Sequence, residues 1–202
     1  SAQWFTEASA TYYAALLSLE EGATFTDFQR FLSRGESSPQ ADSVLSEPGS
    51  WQANANYWKG ALVLGELDRQ IRLESSQRAS LEAVFRALNG RTEPVQNADL
   101  VTEVESVGTS STTETAERYT TTSEVPETWS SSAHREAFGS QPAQMQITLD
   151  TARDVTYAGP YRTGTADTPL TLAVGEQLSF QTTVQNVGDA TGEYELLLRV
   201  AD

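Results

Sequence analysis

Trp4-Phe5-Thr6-Glu7-Ala8-Ser9-Ala10-Thr11-Tyr12-Tyr13 and Asn56-Tyr57-Trp58-Lys59-Gly60 each place polar groups inside an otherwise apolar helical pattern. Working outward from the first, residues 7–20 carry Tyr12, Tyr13, Leu16, Leu17 and Leu19 at helical spacing before Gly22, which can terminate the helix. Thr24, three residues before Asp27, can cap a short second helix holding Phe25, Phe28, Phe31 and Leu32, closed by Gly35. Residues 37–49, with Pro39, Pro48 and many serines, read as a surface loop. From the second signature, Ser50 is expected to cap the longest helix, over 51–74. Its apolar stripe is Tyr57, Ala61, Leu64, Leu67 and Ile71, with Glu66, Asp68, Arg69 and Arg72 on other faces. Further helices are expected at 81–88, 98–107 and 112–119, the last opened by a Ser111-x-x-Glu114 capping box.

The pattern changes within residues 123–144, where Val125-Pro126-Glu127-Thr128-Trp129-Ser130-Ser131-Ser132 shows no clear period. Beyond it residues 145–149, 155–161, 170–174, 178–187 and 194–200 alternate between turn residues and read as strands. The expectation is an α+β chain of two parts: a helical region, residues 1–130, then a linker and β module, residues 131–202.

Composition narrows the partners. The 202 residues include 28 acidic and 13 basic side chains, for a net charge of -15, so a nucleic-acid backbone would be repelled. Lys59 is the sole lysine, the other basic residues being arginine, and this bias resembles proteins of extreme halophiles; the plainer reading is an ordinary acidic protein. In molar salt the Debye length falls to about 3 Å, which screens the self-repulsion of such a chain. The absence of cysteine excludes disulfides and thiolate chemistry. No apolar run reaches the roughly 20 residues that span a bilayer, and the start Ser1-Ala2-Gln3-Trp4 has no signal-like region. Beginning inside a helical motif, the chain reads as an excised piece whose targeting segment lies outside it.

Taken on spacing alone, Glu7 near a helix start would complement the macrodipole, and Tyr57 on an apolar stripe would be a core residue with a satisfied hydroxyl. Resemblance offers another reading. The first signature resembles the third-ligand helix of gluzincin metallopeptidases, the aminopeptidase N-like and glycyl aminopeptidase-like families, and implies that Glu7 is a zinc ligand. Tyr57-Trp58-Lys59-Gly60-Ala61 resembles the same families' Tyr-Glu-Lys-Gly-Ala motif, with Trp58 in place of the glutamate. That likeness implies that the Tyr57 hydroxyl donates to the oxyanion of a tetrahedral intermediate. Residues 77–88, residues 98–105 and the helix ending at Arg118-Tyr119 follow in the family's order, so the resemblance covers about 120 residues and implies a thermolysin-like helical lobe. Residues 171–188 with 192–196 resemble the immunoglobulin-like modules of the CARDB kind found on prokaryotic surface proteins. A full sandwich has about seven strands, so a partial one is expected here.

The family's H-E-x-x-H helix, which supplies two zinc ligands and the general base, is not in this chain. The one histidine, His134, has no spaced partner and reads as a surface or linker residue. There is neither a G-x-S-x-G elbow nor a glycine-rich phosphate loop, and the acidic pairs Glu20-Glu21 and Glu103/Glu105 read as solvated faces. Two functional expectations follow. One is a fragment of a zinc-dependent aminopeptidase-like enzyme acting on peptides, with zinc bound by the complete parent and little or none by this chain alone. The other is a non-catalytic surface or adhesion protein that keeps the lobe as scaffold and uses the β module for binding or spacing. Both put the parent outside the cell or on its surface.

Overall fold

A helix whose residues are apolar all round belongs in a core rather than on a surface. The stretch 60–65 of helix α3 (Ala55–Glu74) is of this kind, Ala61, Leu62, Val63 and Leu64 being buried on every side, and Leu67 and Ile71 continue the buried face. The computed structural model describes residues 2–140, 145–148, 155–165, 171–188, 191 and 194. In it α3 is packed by α1 (Gln3–Glu20), α2 (Phe25–Leu32), α4 (Leu81–Asn89), α6 (Ser110–Thr121) and α7 (Ser131–Phe138). Helix α5 (Asn97–Val107) packs on α4 and α6.

Small residues set the closest approach. A Cβ at Gly60 would lie 2.6 Å from the Ala8 Cβ, and one at Gly65 would lie 2.9 Å from Trp129 Cη2 and 3.1 Å from Tyr12 Cε2. Neither helix α1 nor the loop bearing Trp129 could lie where it does with larger residues at these positions.

The polar groups of α3 each close a different neighbour. Lys59 is fully buried, and its ammonium donates to the carbonyls of Ala41 (3.1 Å), Ser43 (2.6 Å) and Thr122 (3.0 Å). Asp68, also buried, accepts from Tyr12 Oη (2.9 Å), from the Leu81 backbone N–H (2.8 Å) and from Arg72 Nε (3.1 Å). It thereby joins α1 to the start of α4. Glu74 accepts from the Thr109 N–H (3.1 Å) and hydroxyl (2.8 Å) and from Thr112 Oγ1, capping α6 from a distance.

Several expected boundaries move for identifiable reasons. Thr24 caps α2 as expected, accepting from the Asp27 N–H at 3.1 Å. Ser50 does not cap α3. It ends a 3-10 turn (Pro48–Ser50), its Oγ bound to both backbone groups of Val44, and α3 starts only after the left-handed residues Ala53 and Asn54. The Ser111/Glu114 capping box is replaced by Thr109 as the flanking residue, with Glu74 as partner. Tyr57 is 37% exposed and stands outside the apolar stripe.

The largest correction concerns His134. It is buried on α7, stacked on Phe138 with ring centroids 4.1 Å apart, and set edge-on to Phe28 at 5.7 Å. Its ring accepts a hydrogen bond from Trp129 Nε1 at 3.3 Å. Residues 131–138, expected in the linker, are thus helical and packed on α3, capped by Ser130 and ended by left-handed Gly139. A buried imidazole in an aromatic nest loses solvation as a cation, and His134 is held down to about 4 by burial and by Arg72.

Beyond residue 144 all described strand pairing is antiparallel. β1 (Met145–Thr148) pairs with β5 (Thr183–Asn186), and β2 (Val155–Ala158) lies between β3 (Thr163–Thr165) and β4 (Gln177–Phe180). The run expected as one strand over 178–187 is therefore divided between two sheets at Gln181-Thr182. Residues 171–174 form no strand, β3 was not expected, and the strand expected at 194–200 lies outside the described residues apart from Tyr194. Val155 and Tyr157 alternate inward against Leu178, while Arg162 lies 3.6 Å from the Tyr157 ring centroid and pairs with Glu176 at 2.9 Å. The fold class is α+β.

Two measurements test this packing. Lys59→Met should lower unfolding free energy by roughly 3 kcal/mol, because each buried carbonyl deprived of its donor costs about 1–3 kcal/mol. Denaturant unfolding at fixed molar salt checks it, and an unchanged midpoint would remove the ammonium from the core's account. For His134 the folded value lies below the unfolded one near 6.5, so its contribution is fully present above that value and is lost as pH falls toward 4. The expected loss over that window is about 3 kcal/mol. His134→Phe should flatten that part of the stability profile, and an identical slope in both proteins would exclude the histidine.

Candidate functional site

Glu7 is the fifth residue of α1, beyond the first turn where the macrodipole acts most strongly, so dipole compensation does not explain it. It is half-buried. Tyr57 lies in the first turn of α3, with its backbone N–H bound to the Asn54 carbonyl at 2.9 Å, and its side chain emerges from the helix body. The two side chains meet. The Tyr57 hydroxyl faces the Glu7 carboxylate, and interaction with that acceptor is the main cause that raises the phenol above its ordinary value; desolvation and the carboxylate charge act in the same direction.

What brings residues 50 positions apart together is the close crossing already described. Ala8 follows Glu7, and Gly60 lies three residues after Tyr57, so the Ala8–Gly60 contact is less than one helical turn from the pair on either helix. Any side chain at position 60 would push α1 off α3 and part them. Trp58 faces the 3-10 turn Ser33–Glu36: its ring meets Phe31 edge-on at 5.3 Å, and the Arg34 guanidinium lies 4.7 Å above it. Gly35 lets that turn approach, since a Cβ there would lie 2.7 Å from the Trp58 carbonyl. The first turn of α3 is thus pinned on three sides, by Lys59, Trp58 and Gly60.

The pair offers a carboxylate with no ion-pair partner among the described residues and a phenol that stays protonated at neutral pH. A protonated phenol can donate to a developing oxyanion, and a free carboxylate can bind one face of a cation. Glu7 stands alone as a potential metal donor: among the described residues there is no group of three or more His, Cys, Asp or Glu that could hold an ion. His134 does not join it, being enclosed by Phe25, Phe28 and Phe138 with one ring nitrogen committed to Trp129. Glu20, Glu21 and Glu105 are exposed and Glu103 approaches Arg91 at 3.7 Å, in keeping with solvated faces.

Lys59 is the supporting residue that motif reading passes over. The signal was available in its being the only lysine of the chain, set in a helical apolar stripe.

Glu7→Gln replaces an anionic acceptor by a neutral one, so the Tyr57 phenol should titrate closer to its ordinary value of 10.0. Titration of ring 13C resonances, with Tyr57→Phe giving the assignment, measures this. A Tyr57 curve indifferent to the change would show that the two groups do not interact in solution.

Compared with known protein families, with curated proteins and with solved structures, the chain gives no match. What the site can do rests on Glu7, Tyr57 and the helices that hold them.

Proposed function

We propose that this chain is the C-terminal helical lobe of a gluzincin-type, aminopeptidase-like zinc hydrolase, followed by a partial CARDB- or immunoglobulin-like β module. The observation that carries the reading is the proximity of half-buried Glu7 to exposed Tyr57, the two positions where the resemblance puts the third metal ligand and the oxyanion donor. Nothing in the apolar pattern required it. Spacing alone would make Glu7 a dipole partner and Tyr57 a core residue; instead half-buried Glu7 and exposed Tyr57 are neighbours, as the resemblance implies.

A catalytic zinc takes three protein ligands and one open position, whereas Glu7 is one carboxylate with no companion donor of the required type among the described residues. The donor set does not fit a self-contained zinc centre. In this proposal the ion belongs to the complete parent, its histidine ligands come from a segment outside this chain, and the chain alone is inactive.

The chemistry assigned to these residues is correspondingly limited. Tyr57 donates its hydroxyl proton in a hydrogen bond to the oxygen that gains charge as a peptide carbonyl becomes tetrahedral. Such a donor accelerates the reaction only if it is aligned before the charge appears, and the three-sided clamp on the first turn of α3 supplies that alignment. The raised phenol value favours the protonated form that donation requires. Peptides are the proposed substrate class, and the module's likeness puts the parent outside the cell or on its surface, working in high salt.

The test uses the parent protein carrying its upstream sequence, expressed and assayed in molar salt. Bound zinc should be present and diminished by Glu7→Gln. Tyr57→Phe should lower kcat by about 10²–10³-fold with little change in KM, as expected for a group that acts in the transition state. An unaltered kcat in Tyr57→Phe removes the oxyanion role. A parent with neither bound zinc nor peptide turnover overturns the enzyme reading in favour of a non-catalytic scaffold.

A further inference from the structure

At the far end of α1 from Glu7, a pocket of about 280 Å3 opens between α1, α3 and α7, lined by Leu16, Leu19, Glu20, Arg72, His134 and Phe138, with exposed Ser140 beside them. It is just below the usual range of about 300–1,000 Å3 for drug-sized ligands, which suits a smaller molecule. Three kinds of surface converge on it. Leu16, Leu19 and Phe138 are apolar, Arg72 and His134 can donate, and Glu20 is an exposed carboxylate at the end of α1.

The donors are held but not used up. Arg72 gives its Nε to Asp68 at 3.1 Å and rests 4.6 Å from the centre of the Phe138 ring, while its terminal nitrogens have no acceptor among the described residues. His134 is 3% exposed, and its Nδ1 accepts from Trp129, so the ring proton sits on Nε2. That N–H has no acceptor among the described residues. His134 forms part of the wall of the pocket, so this donor stands beside the space a ligand would fill.

Charge selects the ligand. A simple anion meets Glu20 at the rim, a net charge of -15 on the chain, and an arginine already balanced by Asp68. An amine alone meets Arg72. A molecule carrying both charges on adjacent atoms, with an apolar tail, answers the charged and apolar groups of the lining. We propose that this pocket binds a free α-amino acid with an aliphatic side chain. Its carboxylate takes the Arg72 guanidinium and the His134 Nε2–H, its ammonium takes Glu20, and its side chain lies against Leu16, Leu19 and Phe138. The inference does not depend on the zinc-hydrolase reading, since neither Glu7 nor Tyr57 contributes to this pocket.

The experiment titrates L-leucine into the full 202-residue chain, following the methyl resonances of Leu16 and Leu19. Two analogues are titrated alongside: 4-methylpentanoate, which lacks the amine, and 3-methylbutylamine, which lacks the carboxylate. Leucine should give saturable shifts, and each analogue should bind at least about tenfold more weakly, the loss expected for one charge-assisted hydrogen bond. Glu20→Gln, a change at an exposed position, should weaken leucine by a similar factor and leave 4-methylpentanoate bound no more weakly than before. Linear, non-saturating shifts with leucine overturn the proposal, as does equal binding of either analogue or an unchanged affinity in Glu20→Gln.

Discussion

The Lys59 ammonium has no access to water, and three backbone carbonyls converge on it from two separate segments of the chain. Burying a cation is costly unless its donors are all satisfied. Here each of its three protons has an acceptor, and in return the ammonium satisfies carbonyls of a loop that would otherwise be buried without partners. Ala41 and Ser43 fix the long loop before α3, and Thr122 fixes the end of α6. The start of α3 is therefore held against the rest of the helical region by a contact that is not apolar. Burial lowers the lysine to about 8, with Asp42 and Glu124 acting in the opposite direction.

From that anchor the other polar groups of α3 take up successive neighbours along its length. Asp68 holds α1 through Tyr12 and starts α4 through the Leu81 N–H; Glu74 starts α6. Glu66 is held within α3 itself by a two-pronged pair with Arg69, at 2.7 and 2.8 Å. An apolar core gives affinity between helices but little direction, whereas hydrogen-bonded groups at fixed positions set register. The Glu7–Tyr57 pair depends on both: Gly60 permits the approach, and Lys59 with Trp58 fixes the angle at which Tyr57 leaves the helix.

Much of this could be read from the sequence where the signal is local. The stripe Ala61, Leu64, Leu67 and Ile71 is buried as its spacing requires, Thr24 caps the helix that follows it, and Val155 and Tyr157 face inward in alternation. The failures share one cause, a partner distant in the chain. Glu74 caps a helix 35 residues away, so the local Ser111 and Glu114 are not the groups that close its start. The α7 sequence Ser131-Ser132-Ala133-His134-Arg135-Glu136-Ala137-Phe138 has no apolar stripe, and its burial rests on aromatic rings from α2 and on Trp129. Of the candidate site, the helical settings of Glu7 and Tyr57 were legible, but the contact that brings α1 and α3 together there, Gly60 against Ala8, belongs to no single-segment pattern.

The Lys-poor composition sharpens the case for Lys59. In a chain that otherwise uses arginine for its cations, a single retained lysine calls for a geometric reason. Arginine presents its donors in a planar fork suited to a carboxylate, as Arg69 does with Glu66. Three carbonyls arranged around a point need a compact tetrahedral head with three donors, which only an ammonium supplies. The guanidinium is also larger, and the space around Lys59 is closed by the very backbone it binds. Composition and packing thus agree at this position: the bias against lysine stops where an arginine could neither fit nor satisfy the three carbonyls, one residue before the glycine that brings α1 against α3.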